Sequence, residues 1–409
     1  MTPIIRIRLC TMMFLEFFIW GGWFVTMGSY LASNLHATGA QTALAYSTQS
    51  WGAIIAPFIV GLIADRYFNA ERLLGVIHIG GAILMYVLFS SRDFAGFYPY
   101  LLAYMILYMP SLALVNSIAF RQMNDPSKHF SSIRVWGTIG WIVAGLVISY
   151  LFAWDSSKGM TQGFLKNTFL MCSMASFALG LYSFTLPQTP PAPRLKNGSG
   201  ISALLGFDAL VLLKQRNFVV FFVASILICI PLAFYYQNAN QFLTEIHVAN
   251  ATGKQTIGQM SEVLFMLLIP LFLNRFGMKT TLLLGMLAWA LRYILFAFGN
   301  AHELAYMLLL GIALHGVCYD FFFVSGQIYT DSKAGPQHKS AAQGLITLAT
   351  YGVGMLMGFW AAGRIDDLYF AGAVHDWKAI WLYPAGFAAL VFVLFALTFR
   401  NETIGSAKS

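Results

Sequence analysis

The sequence predicts an all-α integral membrane protein of twelve transmembrane helices, arranged as two pseudo-symmetric six-helix bundles. Three observations predict it. The 409 residues are 58% hydrophobic and only 10% charged, against roughly 25% charged in an ordinary soluble domain, and mean hydropathy is +0.69. Apolar stretches of about 20 residues, the length that crosses a hydrocarbon core, recur along the whole chain between short polar breaks. Finally, "GLIADRYFNAER" after the second stretch and "LNRFGMK" after the eighth are basic, Gly-marked tight connections at matching places in the two halves. A duplicated six-helix unit produces that match.

Taken in order, the first span covers 8 to 31. Arg6 and Arg8 ahead of it resemble a secretory signal, but the run continues to Leu31, too long for a cleaved h-region. The next five spans are placed at 40 to 64, 72 to 91, 96 to 121, 131 to 154 and 165 to 185, closing an N-terminal bundle over 1–185. The connection over 186–215 is the longest and begins Pro- and Gly-rich, "LPQTPPAPRLKNGSG", as a cytoplasmic linker between bundles would. The C-terminal bundle, 216–409, holds spans at 216 to 243, 255 to 276, 279 to 299, 303 to 330, 340 to 363 and 378 to 399. Small residues such as Gly354, Gly358 and Ala362, at i, i+4 and i+8, let helices approach closely in lipid.

Twelve spans put both termini on one side, and loop charge says which. Of 24 Lys and Arg, 17 fall on the terminus side, 6 opposite, and Arg292 lies within a span, so both termini are expected in the cytoplasm. The same bias accounts for the net charge of +8 without a nucleic-acid partner. Cys10, Cys172, Cys229 and Cys318 all lie within spans, with no metal-ligand spacing, and read as small buried residues. Neither HExxH nor GxSxG occurs, which argues against an intramembrane enzyme. No cofactor or metal is expected.

A charge near the bilayer centre costs about 2.5 to 3.5 kcal/mol even on the lenient scale. Glu16, Arg134, Glu262, Arg292 and Asp320 therefore each need a reason. Arg134 stands near a helix end where it can snorkel, but Arg134, Thr138 and Trp141 also fall at i, i+4 and i+7, a stripe of donor fork, hydroxyl and ring. Gln259 and Glu262 share a face of the eighth span. Ala233, Tyr236 and Asn240 share one in the seventh. His315 and Tyr319 align in the tenth, with Asp320 about 100° further round. Rings and amides on several helices suit a cavity for a polar, partly flat solute. Asp320 lies near the middle of its span, where a carboxyl group is hydrated or dehydrated as the cavity opens and closes, so that its proton affinity changes with conformation. The alternative is an Asp that merely bonds a neighbouring helix. Glu16 stands equally open between structural and proton-carrying roles. Arg292 has no polar neighbour at helical spacing and reads as structural, by snorkelling or in an ion pair.

The phrases "FFIWGGWFVTMGSYL", "YMPSLALVNSIAF", "IRVWGTIGW", "LLGFDALVLLK", "YDFFFVSGQIY" and "SAAQGLITL" resemble the nucleoside:proton symporter family of the major facilitator superfamily, and within it the branch of transporters set apart from the characterised permeases. The resemblance covers nearly the whole chain. It implies a central cavity, alternating access and import of a nucleoside with protons across a bacterial cytoplasmic membrane, by a monomer in the lipid bilayer. Substrate-site positions of the family carry over to Arg134, Thr138, Trp141, Gln259, Glu262, Tyr319 and Asp320, the last as proton carrier. Three matching positions depart. Ala233, Tyr236 and His315 stand where the characterised permeases have Gln, Asn and Tyr, and Glu16 replaces an amide. Tyr236 and His315 are therefore expected to contact solute in a new way, with His315 lending a pH dependence between about pH 5 and 8. Glu16 joins Asp320 as a proton-coupling candidate. A sugar-like or modified nucleoside solute is the alternative.

Overall fold

A computed structural model describes residues 1–59, 68–123, 126–190, 207–371 and 374–401. Most of the "GLIADRYFNAER" connection, the middle of the 186–215 linker and the C-terminal tail lie outside the described residues.

Among the described residues the chain is helical, apart from a two-residue antiparallel pairing of Phe370–Ala371 with Val374–His375. Among the described residues, ten helices are long and apolar enough to cross a membrane. The first is bent. α1 (Pro3–Trp23) starts with the Thr2 hydroxyl accepting from the Ile5 amide and Pro3 at the first helical position, then passes a break into α2 (Met27–Asn34). Then come α3 (Gly39–Ile59), α4 (Ala70–Ser90), α5 (Phe94–Arg121), α6 (Pro126–Leu146) and α7 (Asn167–Ser183). Asp93 caps α5 by accepting from the Gly96 amide at 2.7 Å, satisfying one of the donors that every helix start leaves open.

The second half has α8 (Arg216–Glu245) and the 48-residue α9 (Ala251–Phe298). Within α9 the helix breaks at Gly277, whose φ of +77° suits a residue without Cβ. The predicted spans 255 to 276 and 279 to 299 fall on either side of that break. The following span runs through α10 (Ala305–Ala313), α11 (His315–Tyr319), a π-helical turn at Asp320–Val324 and α12 (Ser325–Thr347). A second π-helical turn, Leu348–Gly354, leads into α13 (Met355–Leu368), and α14 (Trp377–Thr398) is the last helix among the described residues. Leu267 and Leu397 are 75% and 79% exposed. Helices that turn large apolar side chains outward in this way are built for lipid rather than water.

The chain divides into two compact units. Unit 1 comprises Met1–Asn197 with Gln237–Thr256, and unit 2 comprises Gly198–Tyr236 with Ile257–Ser409. In unit 1, Gly140 of α6 lies against the backbone of Phe14, and Gly21 of α1 lies under the Trp141 ring, so α1 and α6 cross with almost nothing between their backbones. The turn from α8 into α9 is tied to the same unit. Asn240 accepts from Ser29 at 2.6 Å and donates to Gln255 and Thr252, while Asp155 accepts from the Thr252 amide and from Ser149.

Candidate functional site

The α1–α6 crossing positions the stripe expected from "RVWGTIGW". Arg134, Thr138 and Trp141 are all half-buried in unit 1. The Arg134 guanidinium lies 4.0 Å over the Phe17 ring, a cation–π placement that holds it inside the helix pair. Trp141 packs edge-on against Trp20 at 5.6 Å, and Trp20 against Tyr108 at 5.8 Å, so the wall is aromatic.

Glu16 does not join that wall. It is buried behind it, with its Oε2 2.8 Å from Nε2 of His78, its Oε1 accepting from Ser111, and its carbonyl accepting from Tyr108. Asn240, which shares a helix face with Tyr236 in the sequence, is taken up by Ser29, Thr252 and Gln255 in unit 1 and is not a spare amide.

Unit 2 gathers the rest. A Cβ on Gly316 would meet the Ser261 carbonyl carbon at 2.5 Å and the Glu262 amide at 2.6 Å, and one on Gly258 would meet the His315 side chain at 3.1 Å. These two glycines let α9 and α11 touch backbone to backbone, which brings Gln259 and Glu262 alongside His315, Tyr319 and Asp320. The Ser261 hydroxyl accepts from the Gly316 amide at 3.0 Å and fixes the register. Tyr236, Gln259, Glu262 and Tyr319 are half-buried, whereas His315 and Asp320 are buried. Tyr319 exchanges a 2.6 Å hydrogen bond with Tyr351, and Glu262 lies within electrostatic reach of Tyr236, Tyr319 and Asp320.

Asp320 opens a π-helical turn, a distortion that recurs at functional positions in helices. It is fully buried, and its carboxylate oxygens make no hydrogen bond of ordinary geometry among the described residues, the Met266 backbone being the nearest polar group to act on them.

Arg292 differs from expectation. It neither snorkels nor pairs with a carboxylate: it is fully buried, 3.4 Å over the Tyr235 ring, and donates from Nη1 to Nδ1 of His315 at 3.0 Å. The Cys318 thiol also lies within hydrogen-bonding reach of the guanidinium. Because a guanidinium only donates, Nδ1 of His315 must be the acceptor and the ring hydrogen sits on Nε2. The imidazole stacks on Tyr235, centroids 5.3 Å apart.

Ala233 also differs. It is fully buried, and a Cβ on Gly358 would fall 2.5 Å from its own. It packs α8 onto α13 and does not stand open as a pocket wall.

Sequence reasoning missed His78, Ser111 and Tyr351. Each gains its meaning from a residue far along the chain, 62, 95 and 32 positions away, so helical spacing carries no trace of it. The one available signal was a histidine in the middle of the apolar run 72 to 91.

Comparison with known proteins extends this geometry. The Nucleoside H+ symporter family matches residues 4–404. The chain is 44% identical over 404 residues to "Putative nucleoside transporter YegT" of Escherichia coli K12, covering 97% of this chain and 94% of that protein. It is 34% identical over 411 residues to the Xanthosine permease of the same organism, covering 97% and 96%. The crystal structure of nucleoside transporter NupG superposes with a TM-score of 0.86 at 29% identity, over 97% of this chain and 100% of that one.

Proposed function

The chain belongs to the nucleoside H+ symporter family, and from that premise we propose how its residues divide the work of importing a nucleoside with protons. It is a multi-pass membrane transporter and not an enzyme. On this reading α3 and the two arms of α9 complete twelve spans in two six-helix bundles, 1–185 and 216–409 joined by the 186–215 linker, with both termini in the cytoplasm. The protein works as a monomer in the cytoplasmic membrane.

Arg134, Thr138, Trp141, Tyr236, Gln259, Glu262, His315 and Tyr319 contact solute. The rings offer faces for a flat base. Gln259 and Glu262 offer an amide and a carboxylate to a hydroxyl-rich sugar, where a charged hydrogen bond contributes about 1.5 to 3 kcal/mol. Asp320 carries the coupling proton, with Glu16 as a second candidate.

The observation that carries this reading is the state of Asp320: buried, on a π-helical turn, with no hydrogen bond of ordinary geometry from the described residues to either carboxylate oxygen. Leaving a buried polar group unpaired costs about 1 to 3 kcal/mol, more if charged. A group kept in that condition is one whose partner arrives and leaves during a cycle. Alternating access does this by wetting the site from one side and then the other. The test is uptake of labelled nucleosides into proteoliposomes with and without an imposed pH gradient. Uptake indifferent to the gradient would refute proton coupling.

A sugar-like or modified nucleoside solute is the second reading, favoured by one observation. His315 presents a lone N–H on Nε2 where the characterised permeases of the family carry a hydroxyl that both donates and accepts.

A further inference from the structure

Behind the aromatic wall of unit 1, Glu16, His78, Ser111 and Ser176 meet from α1, α4, α5 and α7, each at most 1% exposed. Their hydrogens can be counted. Ser176 Oγ donates its single hydrogen to the His78 carbonyl at 2.9 Å, so in its 3.1 Å contact with His78 Nδ1 it accepts, and Nδ1 carries a hydrogen. The 2.8 Å contact between His78 Nε2 and Glu16 Oε2 also needs a hydrogen, because two lone pairs at that distance repel. On the other side, Ser111 Oγ lies 2.5 Å from Glu16 Oε1 and 2.6 Å from the Tyr108 carbonyl. A hydroxyl has one hydrogen to give. If Ser111 gives it to Oε1, that oxygen is bare; if Ser111 turns it to the carbonyl, Oε1 must carry a hydrogen of its own and donate it to Ser111.

We propose that Glu16, His78 and Ser111 form a second proton-binding site, besides Asp320, in which the Glu16 carboxyl group and His78 Nε2 together hold one hydrogen or two by turns during transport. In the first state one hydrogen lies between His78 Nε2 and Glu16 Oε2, and Ser111 donates to Oε1. In the second, a proton from water bonds to Oε1 and the Ser111 hydrogen swings to the Tyr108 carbonyl. The charge of the pair rises from zero to plus one, and no heavy atom has to move. Release to water reverses each step.

The site is placed to couple. The Glu16 carbonyl accepts from the Tyr108 hydroxyl at 2.7 Å, Tyr108 packs on Trp20, and Trp20 on Trp141, so the cluster backs the ring proposed to face solute. The titratable groups facing it are Tyr104 and Tyr108 from α5 and Cys172 from α7. From α6, Arg134 lies over the neighbouring Phe17. The inference rests on the proton-coupled reading above.

The test counts protons. The full chain is reconstituted in proteoliposomes with the membrane potential clamped, and steady-state accumulation of labelled uridine, then adenosine, is followed as the pH difference is varied. Each proton carried per solute multiplies the limiting accumulation about tenfold per pH unit, so the slope of log accumulation against the pH difference gives their number. Glu16→Gln, which keeps shape and hydrogen bonding but cannot titrate, is expected to lower the slope by one. Ser111→Ala, which keeps the carboxyl group and removes its rotor, is expected to lower it too and decides the matter if the first variant does not fold. A positive wild-type slope left unchanged by the substitutions overturns the inference and makes the cluster a structural tie. A wild-type slope of zero overturns the coupled reading itself.

Discussion

Arg292 donates from Nη1 to Nδ1 of His315 across 3.0 Å, and this contact decides which hydrogen the imidazole presents. With Nδ1 occupied as an acceptor, Nε2–H is the group left for a ligand, and it can only donate. A second proton on Nδ1 would point one N–H at another. The pH dependence expected from His315 in the sequence is therefore suppressed while Arg292 is present. Replacing Arg292 by Met fills similar volume against the same rings and removes the Nη1 donor. In Arg292→Met, solute affinity should acquire a dependence on pH between about 5 and 8 that the wild type lacks. Titrations of purified protein across that range check it; a wild type as pH-sensitive at this step as the variant would refute the tautomer assignment.

Asp320→Asn should fold and bind solute but lose accumulation against a gradient, since the amide keeps the shape and cannot titrate. The side chain makes no hydrogen bond of ordinary geometry to the described residues, and the amide keeps its acceptor oxygen toward the Met266 backbone, so the melting temperature should move little. Gradient-driven accumulation at the wild-type level would remove Asp320 from the coupling scheme, and Asp331, which accepts from the Gln343 amide at 2.8 Å, would be the next carboxylate along the chain to test.

These residues mark how far the sequence could be read. The spans were legible because each requires about 20 apolar residues, and the polar stripes because i, i+3 and i+4 share a helix face. Asp320 and Glu262 stood out because a charge in lipid needs a reason. What escaped was everything set by contacts between helices. His78 became a partner of Glu16 only when α4 met α1. Arg292 read as structural because its partners, Tyr235 and His315, lie on other helices. The α3 span and the break at Gly277 show a smaller limit: composition places a helix, but its ends and kinks answer to backbone geometry.

Glu262→Gln should weaken nucleoside binding by about 1.5 to 3 kcal/mol, roughly tenfold or more, if a charged hydrogen bond to a sugar hydroxyl is lost. Because Glu262 also lies within electrostatic reach of Asp320, the same substitution should change how binding responds to the pH gradient. Isothermal titration beside a thermal melt separates the cases. A large loss of apo stability with unchanged affinity would make Glu262 a structural residue.

The last prediction concerns the departures on α8. The sequence alone treats Ala233 and Tyr236 as one altered pocket wall, but the packing separates them. Ala233 lies against Gly358, where no space for a larger side chain exists, so Ala233→Gln overpacks the α8–α13 contact and should cost about 1 to 3 kcal/mol of stability without adding an amide to the site. Tyr236 is half-buried, beside Glu262 and Tyr351, and its substitution is the informative one. Tyr236→Asn exchanges a ring with one hydroxyl for an amide that both donates and accepts. Each polar ligand group newly paired is worth about 1 to 3 kcal/mol, or roughly tenfold to a hundredfold in affinity, so ordinary purine and pyrimidine nucleosides should bind this variant more tightly, while free bases gain less if the amide reaches the sugar. Titration of wild type and both single variants with nucleosides, free bases and small sugars checks the assignment. Unchanged affinities in Tyr236→Asn, together with a normal melt for Ala233→Gln, would mean that the solute does not pass this face of α8.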